Sequence, residues 1–219
     1  MNAQEIVARL VQLDACAVSD ALDRLGLPGA ATGIHAMTFP TKIVGRAVTV
    51  KLKPKGQEES KRHLGTAAVE GASVGDIIVV DHGGRTEMAG WGGILSTAAK
   101  VKGVGGVIVD GACRDVDESR ERGLPVYARA AVPVTARGRV VEESCNEPIQ
   151  MAGVPVKPGD LVIADGSGVV FVPAERAEEV IAAAEEIAAR EAEMARAVLA
   201  GASVVDVMGG NYESMLGRR

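Results

Sequence analysis

Between Gly90 and Glu118 the chain carries a glycine-rich turn, Gly90-Trp91-Gly92-Gly93, then an apolar strand, then Asp110-Gly111-Ala112-Cys113-Arg114-Asp115-Val116-Asp117-Glu118. This sets an arginine beside several carboxylates at the mouth of a strand, a place where an anionic substrate and a divalent metal can meet. A guanidinium presents a planar, permanently charged fork to a carboxylate or keto oxygen. Carboxylates are hard donors of the kind Mg²⁺ takes, commonly one or two per site with water filling the rest. The same residues admit a purely structural reading. Asp115-Val116-Asp117-Glu118 also has the form of a capping box, with Asp115 as N-cap and Glu118 at the third helical position, and Arg114 as a surface ion-pair partner.

Other chemistry-bearing residues carry less. Gly103-Val104-Gly105-Gly106 leads into a strand and not a helix, which excludes a dinucleotide fingerprint, and no strand-linked glycine motif for S-adenosylmethionine is present. His35, His63 and His82 are scattered, without partners at zinc-ligand spacing. Cys113 adjoins the arginine but has no evident base and reads as a small packed thiol. Ser167, in Asp165-Gly166-Ser167-Gly168, lacks the nucleophile-elbow pattern and reads as a turn. Cys16, Cys113 and Cys145 form no CxxC pair, which points away from a disulfide framework and toward a reducing cytoplasm.

The elements that must hold the cluster follow from pattern. At 219 residues and 47% hydrophobic content the chain can bury a substantial core, and we expect one domain over 1–219. A formal charge of -5 speaks against nucleic acid as a partner, and five aromatic residues leave almost no material for stacking bases. No apolar run approaches the roughly 20 residues a bilayer requires, so no membrane span is expected. Glu5 to Leu13 and Ser19 to Leu25 read as helices, the second capped by Ser19 and stopped at Gly26-Leu27-Pro28. Ala47 to Leu52 alternates, whereas Ile77-Ile78-Val79-Val80 and Val107-Ile108-Val109 are continuous β-branched runs expected where both faces of a strand are covered. A helix is expected over Ile94 to Lys102 and a long one over Pro173 to Ala200, its apolar stripe facing core or a subunit contact. Val74 to Asp81 and Pro158 to Asp165 echo one another, which independent Gly-Asp turns explain. The tail, with Gly209-Gly210-Asn211-Tyr212-Glu213, reads as a packed arm or a reach to a neighbouring subunit.

Taken in order, Val18-Ser19-Asp20-Ala21-Leu22-Asp23, Gly92-Gly93-Ile94-Leu95, Asp110 to Asp115, and Pro158-Gly159-Asp160 through Ser167-Gly168-Val169-Val170 resemble the RraA-like family. That family includes 4-hydroxy-4-methyl-2-oxoglutarate/4-carboxy-4-hydroxy-2-oxoadipate aldolases and regulators of ribonuclease E activity. Gly93, the twenty residues after it, Arg114-Asp115 and Glu118 resemble a variant of the enzymes' motif, Gly-x20-Arg-Asp-x2-Glu/Asp. The resemblance implies a layered α/β domain of the swivelling β/β/α type, with N-terminal helices and a long C-terminal helix, assembled as a homotrimer or homohexamer. It also implies a class II, divalent-metal-dependent aldolase that releases pyruvate from a small 2-oxo acid and decarboxylates oxaloacetate through the same enolate. Mg²⁺ or Mn²⁺ would stabilise that charge, with Asp115 as its first ligand. Glu118 would support the metal through water, standing in for an aspartate that other family aldolases carry at the position of Gly93. Arg114 would pair with the 2-keto oxygen or carboxylate. Gly92 would belong to the same substrate loop, and the backbone N–H groups of Gly93, Ile94 and Leu95 would hold the carboxylate. The alternative within the family is a non-catalytic regulator binding ribonuclease E. As the family is understood, such regulators can keep the Arg-Asp pair but lack the carboxylate found here at Glu118.

Overall fold

The computed structural model describes residues 3–57 and 63–209. Two helices, α1 (Ala3–Leu10) and α2 (Ala15–Arg24), lead into short strands β1 (Ala30–Ala31) and β2 (His35–Ala36) and the long β3 (Ile43–Pro54). The central part alternates α3 (Thr66–Gly71), β4 (Ile77–Trp91), α4 (Gly93–Lys102), β5 (Gly106–Cys113), α5 (Val116–Glu121) and β6 (Val126–Ala131). Then come β7 (Val140–Cys145), β8 (Ile149–Met151), β9 (Val154–Val156), β10 (Leu161–Asp165), β11 (Gly168–Val172), a 3₁₀ turn over Ala174–Arg176, α6 (Ala177–Leu199) and α7 (Val204–Val207).

The architecture is α/β around one mixed sheet in the order β1-β11-β10-β3-β4-β5-β6-β2, with β7 also pairing β3 and β8-β9 forming a separate hairpin. β3, β4, β5 and β6 are parallel neighbours, whereas β10 and β11 run antiparallel. Helices α4 and α5 make the crossovers β4-α4-β5 and β5-α5-β6, as parallel pairing requires. Both crossovers bring helix N-termini to the carboxyl ends of β4 and β5, on one edge of the sheet.

The β-branched runs lie where both faces are covered. Ile78, Val80, Val107 and Val109 face a cluster with Ala68, Leu95 and Ala99 of the crossover side. Ile77, Val79 and Ile108 face Tyr127, Phe171 and the β8-β9 hairpin residues Met151 and Val156. A third cluster joins α1, α2 and α6 to β10 and β11 through Leu10, Leu22, Ile163, Val172, Val180 and Ile181. Burying such side chains stabilises by about 1.5–3 kcal/mol each.

Several expectations shift. Helix α2 starts at Ala15, because the Asp14 carboxylate accepts the Ala17 N–H at 2.8 Å and caps it; Ser19 lies inside the helix. Helix α1 ends at Leu10 and not Leu13. The expected C-terminal helix opens with the 3₁₀ turn, and beyond Ile187 none of its described residues is buried, so the apolar stripe serves the core only in its first half. The Gly210-Asn211-Tyr212-Glu213 part of the tail lies outside the described residues. The two echoing segments share one turn: Ser73 N–H donates to Asp76 and Lys157 N–H to Asp160, with Gly75 and Gly159 at φ 85° and 86°. Their strands flank β3 in opposite senses, β4 parallel and β10 antiparallel, so the likeness is turn chemistry and not a repeat.

His82 sits fully buried beside the bulged part of β4. Its Nε2 lies 2.9 Å from the Met88 carbonyl and so carries the proton, while Nδ1 has no hydrogen-bond partner. Burial holds its pKa below the ordinary histidine value, against the raising effect of the Met88 bond and with the help of Arg85. A histidine whose folded pKa is depressed contributes fully above the unfolded pKa, about 6.5, and that contribution is lost as pH falls below it. The melting temperature should therefore drop between pH 7 and pH 5, and the drop should be smaller in His82→Gln even if that variant is less stable throughout. An equal pH-dependent drop in both proteins, read by thermal denaturation, would refute this assignment.

Candidate active site at the carboxyl ends of β4 and β5

The site begins where β4 hands over to α4. Arg114 N–H donates to the Trp91 carbonyl at 3.0 Å, prolonging the β4-β5 pairing by one step, so Arg114 and Asp115 emerge directly against Gly92 and Gly93. Asp115 Oδ2 accepts two hydrogen bonds, from Gly93 N–H at 2.9 Å and from Arg114 Nε at 3.0 Å. Partial burial acts to raise the Asp115 pKa, but the Gly93 N–H and the Arg114 guanidinium outweigh it and hold the carboxyl below its ordinary value. Asp115 is an anion at neutral pH.

Asp115 occupies the N-cap position of α5 without capping it. Its backbone is left-handed, φ 55° and ψ 42°, and its side chain makes no cap bond to α5. The carboxylate turns away from its own helix and satisfies the first N–H of α4 instead. The capping-box reading therefore fails: the sequence spacing matches, but the left-handed residue aims the carboxylate at the neighbouring helix.

Glu118, on the first turn of α5, reaches the same spot. A Cβ built on Gly93 would stand 1.9 Å from Glu118 Oε2 and 3.1 Å from Asp115 Cβ, and one on Gly92 would stand 2.9 Å from Asp115 Oδ2. A side chain at either glycine would have to push these carboxylates aside, and the Glu118 carboxylate fills the volume that a side chain at position 93 would take.

These groups border a cleft of about 110 Å³ lined by Gly92, Gly93, Ile94, Leu95, Arg114 and Asp115. Three further residues on its wall, His63, Thr135 and Arg137, come from loops far away in sequence and carry no motif that would single them out. Glu118 lies against the Gly93 Cα but is absent from the lining. The first N–H groups of a helix have no intrahelical acceptor. The Gly93 N–H, expected to hold substrate, is taken by Asp115, which leaves those of Ile94 and Leu95 for an anion. Among the described residues Arg114 bonds Asp115 through Nε, which leaves its two terminal nitrogens to face the cleft.

The other acidic residues of the segment have structural partners. Asp110 is buried, pairs with Arg129 of β6 and accepts the Ala152 N–H. Asp117 pairs with Arg120 at the surface. Cys113 is buried and its thiol pushed up to about 11 by that burial, as suits a packing residue. Among the described residues no three His, Cys, Asp or Glu side chains gather into a metal cage. Two converging carboxylates suit Mg²⁺, which keeps most of its water, and Asp115 fits because among the described residues Oδ1 has no hydrogen bond while Oδ2 is tied down. A larger hollow of about 290 Å³ beside α2 and β11 is lined by Ser19, Asp20 and Ser167 but by no Arg or Lys, so an anion has less reason to enter it. No helix among the described residues is long and apolar enough to cross a membrane.

Comparison with known proteins identifies the family and the fold. A protein of Halalkalibacterium halodurans, provisionally named a 4-hydroxy-4-methyl-2-oxoglutarate aldolase, is 34% identical over 182 residues, covering 83% of this chain and 82% of that protein. Protein DlpA of Legionella pneumophila is 27% identical over 199 residues, 91% of this chain, which spans only 32% of DlpA's length. The crystal structure of Streptomyces coelicolor RraAS2, described as an unusual member of the RNase ES inhibitor RraA family, superposes with a TM-score of 0.80 at 28% identity, covering 89% of this chain and 97% of that one. The RraA-like profile, Aldolase/RraA, matches residues 15–171, and with the fold and the Arg-Asp motif in place the chain belongs to the RraA-like family.

Proposed function

We propose that the protein is a divalent-metal-dependent carbon-carbon lyase that cleaves a 4-hydroxy-2-oxo acid with two or three carboxylates, 4-hydroxy-4-methyl-2-oxoglutarate or 4-carboxy-4-hydroxy-2-oxoadipate, to pyruvate and a second 2-oxo acid. Oxaloacetate decarboxylation is the accompanying activity. The observation that carries the reading is the convergence of Asp115, Glu118 and Arg114 on the N-terminus of α4. The aldolase name borne by the Halalkalibacterium relative supports it.

In this reading the 2-oxo acid enters with its carboxylate toward the Ile94 and Leu95 N–H groups, where the unpaired amides and the helix dipole favour negative charge. The terminal nitrogens of Arg114 clasp the carboxylate and 2-oxo oxygen, and the bond to Asp115 fixes the plane of the guanidinium. Oδ1 of Asp115 would hold Mg²⁺ or Mn²⁺, with the Glu118 carboxylate as its support. Such an ion supplies Lewis-acid stabilisation of the charge that develops on the 2-oxo oxygen as the carbon-carbon bond breaks. Aldol cleavage and decarboxylation place that charge on the same atom, so one site serves both. The likeness to RraAS2 keeps a regulator of ribonuclease E as the second reading, and the carboxylate of Glu118 favours the enzyme.

Purified protein with Mg²⁺ should release pyruvate from 4-hydroxy-4-methyl-2-oxoglutarate and from oxaloacetate, and excess EDTA should abolish both. No pyruvate from either, or full activity in EDTA, would overturn the reading. Asp115→Asn should fold with little change in melting temperature, because asparagine tolerates the left-handed region and can still accept the Gly93 N–H. It should nevertheless lose most turnover, because the charge that holds the metal is gone. Near-normal turnover at limiting Mg²⁺ would remove Asp115 from the ligand role. Gly93→Asp should impair activity because the new side chain displaces Glu118, and Gly93→Asp combined with Glu118→Ala should recover activity relative to the single Gly93→Asp variant. A double variant no better than Gly93→Asp alone would refute the idea that Glu118 fills the place of a carboxylate at position 93.

A further inference from the structure

Behind the cleft wall three polar groups are sealed from water. Trp91 Nε1–H donates to Ser96 Oγ at 2.9 Å, Ser96 Oγ and Ser119 Oγ lie 2.7 Å apart, and Ser119 Oγ is 3.1 Å from the Asp115 carbonyl oxygen. Trp91 is 2%, Ser96 0% and Ser119 1% exposed, and both serines lie in helix interiors, where a polar buried side chain has to earn its place through hydrogen bonds. The indole is a donor only and each hydroxyl has a single proton. Only one proton order serves all three contacts: Trp91 to Ser96, Ser96 to Ser119, Ser119 to the Asp115 carbonyl. That carbonyl also accepts the Ser119 backbone N–H at 3.0 Å, so Ser119 holds it twice.

The Asp115 backbone needs holding. A left-handed backbone costs free energy even for aspartate, which adopts it more readily than most residues, and persists where the surroundings over-determine it; relaxation would move the carboxylate off Gly93 and Arg114. We propose that Ser96 and Ser119 are positioning residues. With Trp91 they form a buried hydroxyl chain from the end of β4 through α4 to α5 that locks Asp115 left-handed and so sets where its free Oδ1 stands. They touch no substrate and act through Asp115. The proposal rests on the reading of Asp115 as metal ligand.

The chain can be followed directly, since Trp91 is the only tryptophan. The test measures Mn²⁺ binding by the intact protein through the EPR signal of free Mn²⁺, alongside Trp91 emission and melting temperature, for the unsubstituted protein, Ser119→Ala, Ser96→Ala and Val172→Ala. Val172 lies in the remote core cluster of α6, β10 and β11 and serves as a control for general destabilisation. Ser119→Ala should weaken Mn²⁺ binding about tenfold, the equivalent of freeing one strained backbone residue. Ser96→Ala should weaken it less and shift Trp91 emission, because the indole loses its acceptor. Val172→Ala should lower the melting temperature and leave Mn²⁺ affinity unchanged. If Ser119→Ala does not fold, Ser119→Cys, nearly the same size but a weak donor, takes its place in the comparison. Unchanged Mn²⁺ affinity in the serine variants, or an equal loss in Val172→Ala, would overturn the positioning role alone. Failure of the unsubstituted protein to bind Mn²⁺ would instead sink the ligand reading of Asp115, and this proposal with it.

Discussion

The bond from Gly93 N–H to Asp115 Oδ2 is the contact on which the site depends. It ties the first amide of one crossover helix to the residue that starts the next, and so couples two loops that the chain separates by an entire helix and strand. Because Arg114 Nε shares the same oxygen, one carboxylate atom sets the guanidinium plane, ends the α4 N-terminus and leaves its sister oxygen open. A bond between charged and polar groups in a half-buried place contributes more than a neutral surface contact, yet its main effect here is geometric. Without it the cleft would still have its walls but no fixed corner where the Arg114 guanidinium meets the N-terminus of α4.

That contact requires the parallel crossovers. A helix N-terminus arrives at the carboxyl end of a strand only where the chain climbs back across the sheet, and the parallel run β3-β4-β5-β6 supplies two such ends side by side. The β-branched strands in turn demand cover on both faces, which the crossover helices give on one and Tyr127, Phe171 and the β8-β9 hairpin on the other. The corner that holds charge is therefore a consequence of how the apolar strands are buried.

Much of this was legible in residues whose local chemistry has one outcome. Ile77 to Val80 and Val107 to Val109 read correctly as strands covered on both faces because no polar alternation competes, and α4 was found to within one residue because Gly92 and Gly103 bound it. The start of α2 was misplaced because Asp14 and Ser19 are both good caps, and which one acts depends on Ala15, Ala17 and Val18 packing into the core. The capping-box spacing at Asp115, the structural alternative, misleads for a deeper reason. Capping is inferred from spacing along one helix, whereas Asp115 serves a different helix, and its left-handed backbone leaves no mark in the sequence. His63, Thr135 and Arg137 enter the cleft from loops that only the tertiary fold brings near, and the Ser96-Ser119 contact joins two helix interiors where serine has no pattern to announce it.

The glycines complete the logic. At Gly92 and Gly93 φ is not the issue for the first, which is extended at -156°, but space is: each lacks the Cβ that would strike Asp115 or Glu118. Gly93 also opens a helix, where glycine is a weaker former than alanine by roughly 1 kcal/mol. The fold tolerates that loss at an end, where the Asp115 bond to the same amide offsets it. Position 93 and Glu118 thus compete for one volume beside Asp115, and a side chain at one has to move the other aside. Gly93 and the carboxylate at Glu118 are therefore one feature: with no side chain on α4 at this point, α5 has room to deliver its own.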